Sequence, residues 1–275
     1  MLLRGFLFSD GHLIFVVIFD MVFHSNRFKA EDGTHQIFGI NNILSILKSN
    51  KYLIRIIDIL ENSSVTKNVE IKELLKNFSS QINYLNRDVF NKKYGNKRTQ
   101  GIVLTFSGSI TKTLPLFKEI EGNYCLLIVD NVTDPQNFGQ IIRTSECAGV
   151  DGIIIPERNS IGITDTVLQV SQGAFCSMPI YTVTNLNQTL SQLKEDDFWT
   201  IAVENGIDAK SWDQIDYNGK VAIVIGSEGQ GIKPLVLKSC DFQATIPMQG
   251  ETTSLNVSAA TAVVLFERLR QLRLS

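Results

Sequence analysis

The chain has 275 residues, enough for one large domain or two smaller ones, each with its own core. Hydrophobic residues make up 44% and charged residues 20%, ordinary globular usage that excludes a disordered, fibrous or polyelectrolyte chain. The formal net charge of -2 hides a division, because residues 37–108 hold 11 Lys and Arg against 5 Asp and Glu whereas the chain from Ser109 onward is net acidic by about 7. The first of these regions is the expected place for phosphate contacts, with a merely solvated basic face as the alternative.

Near the start, LIFVVIF (Leu13 to Phe19) is apolar, but Asp20 interrupts it and it falls short of the roughly 20 residues that cross a bilayer. No membrane span is expected there. Residues 1–34 read as an extension outside the fold, with Met21 an alternative start. Regular patterning begins after His35, where Ile40, Ile43, Leu44 and Leu47 recur at helical spacing. Tyr52 to Leu60 fits a strand, Asn68 to Phe78 a second helix, and Ile82 to Leu85 and Gly101 to Phe106 two further strands. A small α/β domain over 35–108 follows. The Ser, Gly, Thr and Pro of residues 109–122 have the composition of a connector.

The second domain, 123–275, opens with YCLLIV (Tyr124 to Val129), a run suited to a strand buried on both faces of a parallel sheet. Strand candidates recur at Gly152 to Ile155, Ile180 to Val183, Trp199 to Val203, Val221 to Ile225 and Phe242 to Ile246, with helices at Gly139 to Ala148 and Leu186 to Leu193 between them. Such alternation predicts an α/β parallel sheet. Cys125, Cys147, Cys176 and Cys240 form no C-x-x-C pair and read as reduced, buried thiols of a cytoplasmic protein, with no metal site expected. His12, His24 and His35 all lie in the first 35 residues, so a C-terminal site has no histidine base, triad or histidine-held zinc.

Three segments of the second domain carry chemistry. In DNVTDPQNFGQIIRTSECAG (Asp130 to Gly149), Asn137 stands where an amide can orient a ligand and Arg143 one turn beyond Gly139; the plain alternatives are a turn or cap residue and a surface cation. In VAIVIGSEGQGI (Val221 to Ile232), a strand runs into a turn at Gly226, Gly229 and Gly231 that lets backbone approach a ligand at a strand end. The glycines match neither the dinucleotide fingerprint nor Walker A, which disfavours nicotinamide and nucleoside-triphosphate enzymes. Glu228 there is a catalytic carboxylate or a brace for the loop. In ATIPMQGETTSLNVSAATAVVLFER (Ala244 to Arg268), Ser254 and Asn256 stand at the mouth of an apolar helix, in which Val257, Ala260, Val263, Val264 and Phe266 to Leu269 are expected to be buried; Ser254 could simply cap it.

These three segments, in this order over Tyr124 to Ser275, resemble the motifs of the SpoU or TrmH-like class within the SPOUT superfamily of RNA methyltransferases. QGAFCSMPI (Gln172 to Ile180) is similar to the segment between its first two motifs. IFGINNILSILKS and TQGIV (Thr99 to Val103) resemble the ends of the ribosomal-protein-like substrate-binding domain of the rRNA-directed subgroup. The resemblance implies a deep C-terminal trefoil knot and a homodimer with its active site near the subunit interface. It also implies S-adenosylmethionine as cofactor, embraced through the backbones of Gly226, Ile246 and Leu255. The implied reaction is methylation of a ribose 2′-hydroxyl in structured RNA, a guanosine of large-subunit rRNA before a tRNA position; a non-catalytic RNA binder on the same fold is a further alternative. By the same resemblance Arg143 activates the hydroxyl, supported by Asn137, Glu228, Ser254 and Asn256. A guanidinium stays protonated at ordinary pH, so Arg143 as an electrostatic clamp on the developing alkoxide stands beside Arg143 as base.

Overall fold

The structure, a computed structural model, describes residues 33–274 except 96, 159, 207, 208 and 228. The expected extension, apart from Gly33 and Thr34, therefore lies outside the described residues. Thr34–Phe38 (β1), Ile40–Ser49 (α1), Leu53–Leu60 (β2), Val69–Leu75 (α2), Ile82–Leu85 (β3), Arg87–Tyr94 (α3) and Ile102–Ser107 (β4) build a four-stranded sheet in the order β1-β4-β2-β3. β4 is antiparallel to both of its neighbours, and β3 joins β2 in parallel. Ile43, Ile46 and Leu47 of α1 and Ile71 and Leu75 of α2 bury one face with Ile57, Ile59, Leu104 and Phe106. Phe90 and Tyr94 of α3 cover Val103 on the other.

The second helix stops earlier than its apolar spacing predicts. Asn68 caps it by accepting from the Ile71 amide at 3.0 Å, but after Leu75 the chain tightens into 3-10 turns and Phe78 leaves helical geometry at φ −126°. The apolar pattern predicts neither β1 nor α3.

Thr111–Thr113 (β5), Tyr124–Val129 (β6), Pro135–Cys147 (α4), Gly152–Pro156 (β7), Asp165–Val170 (α5), Ile180–Val183 (β8), Leu186–Glu195 (α6), Trp199–Val203 (β9), Lys210–Ser211 (β10), Lys220–Ile225 (β11), Pro234–Lys238 (α7), Phe242–Thr245 (β12) and Val257–Leu272 (α8) form the larger half. Its eight strands are ordered β10-β12-β9-β11-β6-β7-β8-β5, and every pair is parallel. Side chains of a strand alternate between faces. Accordingly Cys125, Leu127 and Val129 of β6 enter the core shared with α4 and α8, while Leu126 and Ile128 enter the one shared with α6 and α7. The expected connector contains β5, which pairs with β8 by backbone and extends the sheet.

Two burial expectations need correction. Phe266 is 48% exposed whereas Glu267 and Arg268 beside it are buried, and Ala260 and Val263 are only half-buried. Cys125 and Cys176 are buried, Cys240 is half-buried and Cys147 is exposed. Burial pushes the thiols of Cys125, Cys176 and Cys240 up to about 12, so they are poor nucleophiles at neutral pH. Among the cations of residues 37–108, Lys93 is engaged in the fold, because its ammonium meets the buried carboxylate of Asp58 at 2.5 Å. No helix among the described residues is long and apolar enough to cross a membrane.

Candidate active site

Parallel strands bring their C-terminal ends to one edge, where open α/β sheets bind ligands. The chain leaves β11 at Gly226 and doubles back so tightly that a Cβ on Gly226 would lie 2.2 Å from the Gly231 carbonyl carbon and 2.3 Å from the Ile232 nitrogen. Ser227 and Gly231 close the turn with reciprocal backbone bonds of 3.2 and 2.9 Å. Any side chain at Gly226 would force the turn open. The turn is braced from β9, where the Glu204 carboxylate accepts from the Ile232 amide at 3.0 Å. It is also tied to β6, since fully buried Asp130 takes the Lys233 amide at 2.9 Å and its ammonium at 2.7 Å.

Two adjoining cavities flank this turn. One of about 540 Å³ is lined by Gly226, Ile246, Ser254 and Leu255 together with apolar Val203, Ile225, Ile232, Ala244 and Val257. The other, about 700 Å³, lies over the start of α4 and is lined by Asn131, Asp134, Asn137 and Lys233. Ser227, Gly229, Gln230 and Val257 line both. The first and third motifs are joined directly: the Asn256 side-chain amide donates to Asn137 Oδ1 at 3.0 Å, and the Ser258 hydroxyl donates to Gln140 Oε1 at 3.0 Å.

The residues expected in the site therefore have different fates. Gly226, Ile246, Ser254 and Leu255 surround one cavity and Asn137 faces its neighbour. Asn137 is neither a turn residue nor a cap. It lies buried inside α4, which begins at Pro135 and is capped by Asp134. Asn256, not Ser254, caps α8, accepting from the amides of Ser258 and Ala259, so its two ends serve the helix and Asn137 together. Arg143 is exposed on α4 and lines neither cavity. Six residues past Asn137, it sits about 9 Å along the helix and about 120° around it. Glu228 lies outside the described residues.

Glu204 and the Asp130–Lys233 pair carry no signal in the sequence. A lone acid after a strand has no spacing to mark it, although Asp130 and Glu204 each follow an apolar run predicted as a strand. Among the described residues no group of three or more His, Cys, Asp or Glu is placed to hold a metal.

Comparison with known proteins agrees with this geometry. The profile of the SpoU rRNA Methylase family matches residues 124–266, and that for RNA 2'-O ribose methyltransferase substrate binding matches residues 36–110. The 23S rRNA (guanosine-2'-O-)-methyltransferase RlmB of Shewanella oneidensis is 35% identical over 240 residues, which span 86% of this chain and 97% of that protein. A Putative TrmH family tRNA/rRNA methyltransferase of Staphylococcus aureus is 44% identical over 154 residues, 56% of this chain and 62% of that protein. The crystal structure of the SpoU Methyltransferase AviRb from Streptomyces viridochromogenes in complex with AdoMet superposes with a TM-score of 0.75 over 88% of this chain and 92% of that one; at 18% identity this likeness speaks for the fold. The chain belongs to the SpoU rRNA methylase family and is an S-adenosylmethionine-dependent RNA 2′-O-ribose methyltransferase.

Proposed function

We propose that this protein methylates the ribose 2′-hydroxyl of a guanosine in large-subunit rRNA, acting as a cytoplasmic homodimer. The observation that carries the reading is the pair of cavities meeting at the glycine turn, one walled by backbone and apolar groups and the other by amides. About 300–1,000 Å³ is usual for a small-ligand site, so a cavity of about 540 Å³ suits S-adenosylmethionine. In this reading Gly226, Ile246 and Leu255 hold the cofactor by their backbones. The bound cofactor supplies a sulfonium-activated methyl group.

The chain's own residues then orient the hydroxyl and manage its charge. Asn137, fixed by Asn256, and Ser254 at the rim supply hydrogen bonds around the ribose. Arg143 stays cationic and stabilises the alkoxide as it forms. Because Arg143 lines neither cavity of its own chain, it serves the cavity of a second subunit. The exposed Phe266 on α8, the helix packed on α4, supports an isologous contact. The same reading divides the chain into an RNA-holding domain at 35–108, a connector at 109–122 and a knotted methyltransferase domain at 123–275.

The preference for rRNA rests on the first domain, whose match is to a substrate-binding profile. Mapping 2′-O-methyl groups in the RNA of a strain lacking the protein tests it. One missing guanosine mark in large-subunit rRNA is expected, whereas a missing mark confined to tRNA overturns the assignment.

A further inference from the structure

The segment from Asp165 to Cys176 belongs to the catalytic half, yet it is held by the RNA-holding half along its whole length. The side-chain amide of Gln169 makes both bonds that a neighbouring strand would make to Phe38: Phe38 N donates to Oε1 at 2.9 Å, and Nε2 donates to Phe38 O at 2.9 Å. The Asn42 amide donates to the Gln169 carbonyl at 3.2 Å, and the Lys51 ammonium to the Cys176 carbonyl at 2.7 Å. Gly173, at φ +89°, lies so close to α1 that a Cβ there would stand 2.2 Å from Ser45 Oγ. Phe175 stacks on Phe106 with ring centroids 6.2 Å apart. The hydrogen bonds among these contacts are directional and fix an offset that the apolar packing of Phe175 on Phe106 alone would not.

The other side of the same segment bears on the catalytic helix. A Cβ on Gly139 of α4 would lie 2.6 Å from Val170 Cβ and 2.9 Å from the Val167 carbonyl oxygen. Gly139 stands two residues after Asn137 and one turn before Arg143. A continuous packed path therefore runs from β1 and α1 through α5 to the helix that carries both residues.

We infer that Gln169 is a positioning residue: its two bonds to Phe38, seated by the Gly173–Ser45 contact, hold the RNA-holding domain at one fixed offset from α4 and so determine which ribose is presented. This rests on the RNA methyltransferase reading. A free domain would still bind RNA, but at a lower effective concentration and over a range of offsets.

The test uses the full-length protein with two RNAs, a large-subunit rRNA transcript that engages both domains and a short hairpin carrying only the target ribose. Gln169→Ala is expected to raise KM on the transcript about tenfold, with kcat within about twofold, and to spread methylation to neighbouring riboses. On the hairpin it should behave as wild type, with unchanged cofactor affinity. Gln169→Glu keeps the acceptor for Phe38 N but sets an anion against Phe38 O, and should follow Gln169→Ala. Ser45→Leu pushes on Gly173 from the opposite domain and should give the same split, which keeps the test open should the Gln169 variants fold poorly. Equal losses on both RNAs, or none on either, would overturn the inference. Wild-type transfer to the hairpin reports on the enzymatic reading separately.

Discussion

The two sheets deal with charge in opposite ways. In the eight-stranded parallel sheet both faces are apolar, and at its C-terminal edge Asp130, Glu204 and Asn137 surround the glycine turn. In the four-stranded sheet a carboxylate sits inside. Asp58 on β2 accepts from Asn83 at 2.9 Å, from Lys93 at 2.5 Å and from the Tyr94 hydroxyl. Burial alone would raise its pKa, but the bonds from Lys93, Tyr94 and Asn83 outweigh that and hold it below the ordinary 3.8. Tyr94 is in turn pushed far up, by burial first and then by Asp58. The comparison teaches that the acids at the edge of the larger sheet brace the turn beside the cavities, whereas the buried acid of the smaller sheet ties its own strands to α3.

The sharpest break of this contrast is Arg143→Ala, expected to lower kcat by about 10²–10³ while leaving thermal unfolding and cofactor affinity near wild type. Mixing it with a Gly226→Val chain should restore part of the activity in heterodimers, each supplying what the other lacks. Activity that never rises above either parent would place Arg143 in its own chain's site.

Next in size, Asp58→Asn should cost about 1.5–3 kcal/mol of stability at neutral pH, without altering cofactor binding. A carboxylate whose folded pKa is depressed contributes stability above its unfolded value and loses it as pH falls through the lowered folded value. The gap between wild type and variant should therefore be constant at neutral pH and close below about pH 4. Denaturant titrations at several pH values measure it, and a gap that widens in acid would refute the assignment.

The smallest effect concerns the exposed cations left over. Lys97→Gln with Arg98→Gln should weaken rRNA binding and reduce the salt slope of log K by about 0.7 to 0.9 for every phosphate no longer neutralised. An unchanged slope would leave these two as a solvated face. Substitution is a cleaner probe than removing the domain, because removal uncovers Phe175, which packs on Phe106 and Tyr52.

What could be read in advance follows from where side chains carry the information. β3, β8 and β9 lie where apolar runs predict them, because each strand packs side chains into a core. α3 escaped notice because only Phe90 and Tyr94 face inward; its ends are set by the Asn86 cap and by Gly95. β5 escaped because TKT pairs with β8 through its backbone alone. At the site, glycine spacing after a strand led to Gly226 and the mouth of the last helix to Ser254, while Ile246 and Leu255 came from the family resemblance. No local pattern shows that Asn137 and Asn256, 119 positions apart, would bond to each other, or that Arg143 would face away from both cavities.

The pairing order of the strands also sets a timetable for synthesis. All four strands of the smaller sheet lie between Thr34 and Ser107, so that domain can close as soon as it leaves the ribosome. In the larger sheet β6 can meet β7 early, but its other partner β11 begins only at Lys220, and the cavity beside the glycine turn needs Leu255 and Val257 from still later in the chain. The smaller sheet is thus complete long before the larger one, which is finished only when the last helix has found its place.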